Sequence, residues 1–119
     1  MRSTTDRPKT PTQRNPQQRG INPLAGLDRV IHEPARLMIM AVLSVVDSGD
    51  FIFLMNQTGL SWGNLSAHIA RLEKAGYIEV VKSFNDRRPN TMLRLTMKGR
   101  EAFRQYRKQM KFVLDDLLE

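Results

Sequence analysis

Residues 59–96, GLSWGNLSAHIARLEKAGYIEVVKSFNDRRPNTMLRLT, run in order through a turn, an amphipathic helix, a strand, a basic tip and a second strand. Ser61 is a suitable N-cap for the helix, Trp62–Ala75, because its hydroxyl can accept from an otherwise unpaired amide of the first turn. Gly76 closes that helix, since a residue without Cβ enters the left-handed conformation at low cost. Tyr77–Phe84 is rich in β-branched and aromatic residues and predicts a strand. Asn85–Asn90 carries turn chemistry, and Thr91–Thr96 returns as the partner strand. A helix that follows a tight turn and leads into a hairpin tipped with arginines is shaped for DNA. The helix can enter a major groove while the hairpin reaches the flanking backbone or the minor groove.

The flanking sequence supplies the rest of a small domain. Upstream, Leu24–Ile31 reads as a short helix entered through Pro23, and Glu33-Pro34 fits the start of a further helix over Ala35–Val46. That segment is apolar on nearly every side and should be the central buried helix. Asp50 can cap a short apolar helix over Phe51–Thr58, with Gly59 past its end, although Phe51–Phe53 also fits a strand. Downstream, Thr96 can cap a long final helix over 97–118. The order is helix, helix, helix, helix, hairpin, helix: a mainly α fold with a small β-hairpin wing, which is a winged helix-turn-helix. Residues 23–119 form this domain. Residues 1–22 are proline-rich and polar, bury too little to offset ordering entropy, and read as a disordered basic arm. That arm is either an inert tail or an additional contact for DNA phosphates.

Charge is distributed as a nucleic-acid face requires. The 119 residues carry a formal net charge of +7 and a pI near 10.4. Residues 61–111 hold twelve Lys/Arg against four acids, whereas residues 21–60 hold two against four. A basic balance favours polyanions, though solvated lysines and arginines alone would produce it too. The absence of cysteine excludes disulfides, thiolate zinc sites and thiol redox chemistry. No apolar run approaches the length of about 18 residues needed to span a membrane, and the N-terminal residues lack the apolar core of a signal peptide, so a cytoplasmic location without a membrane partner is expected.

The segments LSWGNLSAHIARLEKAGYIEVVKSF and RRPNTMLRLTMKGREAFRQY, preceded by HEPARLMIMAVL, resemble the winged helix-turn-helix domains of MarR/ArsR-like transcriptional regulators, in particular a short stand-alone subgroup with an LT-x-GNLS-x-H-x-x-x-LE-x-AGYI signature. The resemblance covers residues 28–112. It implies a dimeric, cytoplasmic DNA-binding regulator. Ser61-Trp62 stands where the family usually has a threonine and an acidic residue, and Asn85-Asp86 departs at the wing tip.

Placed on a helix at about 100° per residue, Trp62, Leu65, Ile69 and Leu72 fall on one side and should face the core. Gly63, Asn64, Ala67, Arg71 and Lys74 lie opposite, with Ser61, Ser66 and His68 on the flanks. Asn64 suits an adenine edge, and Ala67 is small enough for close approach to a thymine methyl. Ser61, Ser66 and Arg71 suit phosphates. His68 either orients the helix through a structural hydrogen bond or contacts phosphate. In the wing, Asn85, Asp86, Arg87, Arg88 and Asn90 form the contacting set. The resemblance implies that the acid braces one arginine while an arginine enters a narrow minor groove. Pro89 limits the freedom of the tip.

On the last helix Phe103, Tyr106, Met110, Val113 and Leu117 recur at spacings of three and four, with Leu114 alongside. Such a seam suits pairing of two copies, an antiparallel arrangement setting the basic first half against the acidic end. Its alternative is packing on the chain's own core. A homodimer would carry two reading helices about one DNA turn apart, on a pseudo-palindromic operator, and would repress by occlusion. A nonspecific architectural DNA- or RNA-binding protein of the same fold is the competing reading, and a protein-interaction module using the terminal helix a further one. No nucleophile–base grouping, phosphate loop, cofactor motif or metal cluster stands out, so an enzyme is not expected. A small-molecule effector would have to sit at the dimer interface, near Leu24–Ile31 and the terminal helix.

Overall fold

The computed structural model describes residue 22 and residues 24–117; the basic arm expected over 1–22 lies, except for Asn22, outside the described residues. The order is α1 (Pro34–Ser44), α2 (Phe51–Thr58), α3 (Trp62–Lys74), β1 (Ile78–Asn85), β2 (Arg88–Leu95) and α4 (Met97–Lys111), which continues into a π-helical segment, Phe112–Leu117. This is the winged helix expected from the sequence, with its long C-terminal helix. Residues 28–108 form one compact unit; among the described residues, 109–117 form another with 22 and 24–27.

Each helix of the reading region starts where its cap dictates. Glu33 accepts from the Arg36 amide at 2.8 Å, with Pro34 at the first position of α1, where a missing N–H costs nothing. The Asp50 carboxylate accepts from the Phe53 amide at 2.8 Å to begin α2. Gly59, at φ 75°, ends that helix in the left-handed conformation. The Ser61 hydroxyl accepts from the Asn64 amide at 3.2 Å to begin α3. At the far end Gly76, at φ 84°, lets the Gly76 amide donate to Glu73 and the Tyr77 amide to Leu72. This pair of bonds satisfies two terminal carbonyls and turns the chain directly into β1.

The core of the larger unit draws Ile39, Met40 and Leu43 from α1, Leu54 from α2, Leu65, Ile69 and Leu72 from α3, Ile78, Leu93 and Leu95 from the hairpin, and Phe103 and Tyr106 from α4. The hairpin is antiparallel, pairing Ile78 with Leu95 at its base and Asn85 with Arg88 at its tip. Gly49 adds a bridge to Leu93, its amide donating at 2.9 Å and its carbonyl accepting at 2.8 Å, so the segment before α2 lies beside β2. The base of the wing is therefore rooted in apolar packing while its tip projects into solvent.

Three sequence expectations shift. Leu24–Ile31 forms turns, not a short helix. Asp28 explains this for its second half: its carboxylate accepts from the Val30 and Ile31 amides, a local bond that competes with helix. The wing turn is shorter than Asn85–Asn90. Only Asp86 and Arg87 form it, at φ 53° and 69°, and Arg88, Pro89 and Asn90 belong to β2. Two central residues of positive φ match the right-handed strand twist best, which is why so short a turn is preferred. Last, α4 gives way to π-helical winding after Lys111 rather than running regularly to Leu118. Among the described residues no helix is long and apolar enough to cross a membrane, and no group of three or more His, Asp or Glu could hold a metal.

Candidate nucleic-acid interface

The facing of α3 follows from its sequence. Leu65, Ile69 and Leu72 are buried, while Ser61, Gly63, Asn64, Ala67, Arg71 and Lys74 are exposed and Ser66 and His68 half-buried. Accepting from the Asn64 amide occupies one lone pair of Ser61 Oγ and leaves its hydroxyl proton able to donate elsewhere. The Asn64 side chain projects from the first turn, next to the exposed Cα of Gly63, where a Cβ would meet nothing within 4 Å.

Trp62 departs from its expected core position. It is 58% exposed and lies against Phe51 of α2, the ring centroids 4.6 Å apart at 37°. Helical facing failed because Trp62 is the first residue of α3. Beyond it the chain leaves the helix, so no further turn covers the indole.

His68 is held from below. The Arg36 guanidinium, which also donates through Nε to the Val30 carbonyl at 2.5 Å, reaches His68 Nδ1 at 3.2 Å. An arginine can only donate, so Nδ1 carries the lone pair and the ring proton sits on Nε2. Glu33 Oε1 lies 3.9 Å from the same Nδ1. The Arg36 backbone amide, above all, holds the Glu33 carboxyl below its usual range against the opposing effect of burial, with the charge of Arg36 adding to it. His68 thus has the structural bond that sequence left as one of two readings. Sequence reasoning missed Arg36 altogether. Its only signal was the run HEPAR, where a charged residue enters an otherwise apolar helix.

At the wing, Arg87 and Arg88 are exposed, as is Asp86, and Asn90 is half-buried. Among the described residues no ion pair joins Asp86 to either arginine. Asp86 and Arg87 are the two central residues of the turn. Asn85 is the last residue of β1. The arginine further down the strand, Arg94, is paired with Glu79 directly across the hairpin, at 2.5 Å.

A joint ties the reading helix, the wing and α4 together. Thr96 donates through Oγ1 to the Gly76 carbonyl at 2.6 Å and accepts there from the Gly99 amide at 2.9 Å. Its own amide donates to the Tyr77 carbonyl at 3.0 Å. The Tyr77 hydroxyl donates to the Asp28 carboxylate. Burial first, then that acidic partner, pushes the phenol up to about 12. The orientation of wing to helix is fixed at this joint.

On the terminal helix Phe103 and Tyr106 are buried within the single chain, and Tyr106 Oη lies 2.8 Å from His32 Nδ1. Val113 is buried as well and Met110 half-buried. Of the seam, Leu114 and Leu117 remain exposed, at 62% and 45%, with Phe112 beside them at 50%.

A model of the winged helix DNA-binding domain family matches residues 35–114. An uncharacterized protein of Methanocaldococcus jannaschii is 33% identical over 78 residues, 66% of this chain and 85% of that protein. The structure of a transcriptional regulator homologue from Pyrococcus horikoshii OT3 is similar at 32% identity and a TM-score of 0.69, over 74% of this chain and 87% of that one. A putative MarR-like transcription regulator from Bacillus cereus ATCC 10987 is similar at 26% identity and a TM-score of 0.62, over 75% of this chain and 66% of that one. With its capped helix α3, rooted wing and matching relatives, the chain belongs to the winged helix DNA-binding domain family, and its structural neighbours include transcriptional regulators.

Proposed function

We propose that the protein is a homodimeric, sequence-specific transcriptional repressor that occludes a pseudo-palindromic operator. The observation that carries this reading is the single basic surface formed by α3 and the wing: Asn64, Ala67 and Arg71 are exposed on the helix while Arg87 and Arg88 are exposed at the tip of a hairpin rooted in the same core. Asn64 and Ala67 read base edges in the major groove, and Ser61, Ser66 and Arg71 hold phosphates. The wing arginines enter the adjacent minor groove. His68, bonded to Arg36, sets the pitch of the helix.

Pairing of two copies is supported by Phe112, Leu114 and Leu117, whose exposed apolar side chains lie along the π-helical segment Phe112–Leu117. Phe103 and Tyr106 serve the chain's own core, so the pairing surface sits nearer the C-terminal end than a full-length seam would place it.

Selection of bound duplexes from a random pool tests the reading. An inverted repeat with half-sites about one helical turn apart is expected. Asn64→Ala should relax preference at one position of each half-site, whereas Arg71→Ala should weaken all duplexes alike and lower the salt slope by about one. Sequence-blind binding would overturn it in favour of an architectural role.

A further inference from the structure

A groove of about 300 Å³ lies between the start of the reading helix and the wing, walled by Phe51, Ile52, Trp62, Pro89, Asn90 and Thr91. Trp62 and Ile52 stand exposed on one wall, at 58% and 64%. Nothing in the core requires Trp62 to be so large, and among the described residues no acceptor pairs with its indole N–H. Its ring is nonetheless kept in place by the tilted stack on Phe51. Across the groove Asn90 and Thr91 add neutral polar side chains from β2. The one carboxylate at the edge, Asp50, is already bonded to the Phe53 amide and caps α2.

We propose that this groove seats the sugar–phosphate strand of duplex DNA, with Trp62 as a positioning residue that packs on a deoxyribose and donates its indole N–H to a phosphate. The inference rests on the DNA-binding reading above and deepens it. A helix in a major groove and a wing in the neighbouring minor groove lie on opposite sides of one backbone strand, and that strand must cross the surface between them. Here that surface is the groove. Its apolar walls match the face of a sugar, and its neutral donors match phosphate oxygens, which accept from side chains of any charge as long as an N–H or O–H is presented. Backbone contacts of this kind fix register and carry no base information. Trp62 therefore sets how deeply α3 is inserted and not which base Asn64 meets.

Trp62 is the chain's sole tryptophan, so its fluorescence reports this position alone. Acrylamide quenching is measured on the intact chain, free and saturated with duplex recovered from the random pool, and again with a scrambled duplex of equal composition. The expected result is strong shielding of Trp62 in both complexes. Trp62→Ala should weaken both duplexes by a similar factor, roughly three- to tenfold, as loss of one hydrogen bond and an apolar contact entails. Trp62→Phe, which keeps a ring on Phe51 but lacks the N–H, should fall between. Unchanged quenching in a saturated complex, or wild-type affinity of both variants, overturns the proposal while leaving the DNA reading standing. Affinity lost for the selected duplex alone overturns it as well, since Trp62 would then read a base. Failure of the wild-type chain to retard any duplex overturns both. Melting curves verify folding, and if Trp62→Ala does not fold, the wild-type quenching and Trp62→Phe decide.

Discussion

Gly99 lies in the first turn of α4 and is buried against the backbone of Tyr77. A Cβ at Gly99 would stand 2.2 Å from the Tyr77 carbonyl oxygen, 2.9 Å from its carbon and 3.0 Å from its Cα. Alanine is the stronger helix former, so propensity alone predicts that Gly99→Ala stabilises the protein by up to about 1 kcal/mol. The geometry predicts the opposite. A carbon and a carbonyl oxygen approach no closer than about 3.3 Å without a clash, so α4 or the Tyr77 peptide must move by roughly an ångström. That peptide is backbone and has no rotamer to change. Its oxygen also accepts from the Thr96 amide at 3.0 Å, and the Gly99 amide donates to Thr96 Oγ1 at 2.9 Å, so any shift strains the whole joint. Overpacking of this kind costs about 1–3 kcal/mol, and loosening a part-buried hydrogen bond about 1 kcal/mol more. After the propensity gain is subtracted, a net loss of about 2 kcal/mol remains. For a domain of this size each kcal/mol moves Tm by about 4–8 °C, giving a drop of about 8–16 °C. Thermal unfolding followed by far-UV circular dichroism measures it. An unchanged or higher Tm would refute the close-approach argument and leave propensity as the governing effect.

Gly63→Ala is the counterpart, since a Cβ there meets nothing within 4 Å. It should raise Tm by a few degrees, in line with about 1 kcal/mol of propensity, yet lower DNA affinity because the new methyl stands beside Asn64 on the reading face; a stabilised variant that binds DNA unchanged would place Gly63 outside the interface. Alkaline spectrophotometric titration should find the Tyr77 phenol ionising near 12 and the Tyr106 phenol also raised by burial. The sign is fixed by linkage: a folded value above the unfolded one near 10 gives stability that is complete below pH 10 and is lost as pH rises through about 12. A protein whose two tyrosines titrate together at the free value would contradict the Asp28–Tyr77 bond. Leu114→Glu together with Leu117→Glu should convert a dimer to monomers in sedimentation while preserving Tm extrapolated to low concentration, and a dimer that survives the double substitution would move the pairing surface elsewhere.

The helical facing of α3 and the location of its caps were legible because they depend on local chemistry. Ser61, Asp50 and Glu33 each satisfy an amide three residues away, and Leu65, Ile69 and Leu72 share a face by the helical repeat alone. The charge asymmetry that marks residues 61–111 is likewise a property of the chain itself. Those features determined the winged helix and the face that carries Asn64, Ala67 and Arg71.

Tertiary structure decided the remainder, wherever the answer depends on what a distant segment brings to a position. Trp62 has the spacing of a core residue, but helix periodicity does not extend past the first residue of a helix, and only the placement of Phe51 and the wing determines what faces the indole. Only the fold brings Arg36, thirty-two residues earlier, within hydrogen-bond reach of His68. Phe103 and Tyr106 obey a pairing seam in sequence, yet a seam specifies only that one side is apolar. Only the fold shows which members of the seam the chain's own packing takes: it buries these two and leaves Leu114 and Leu117 exposed.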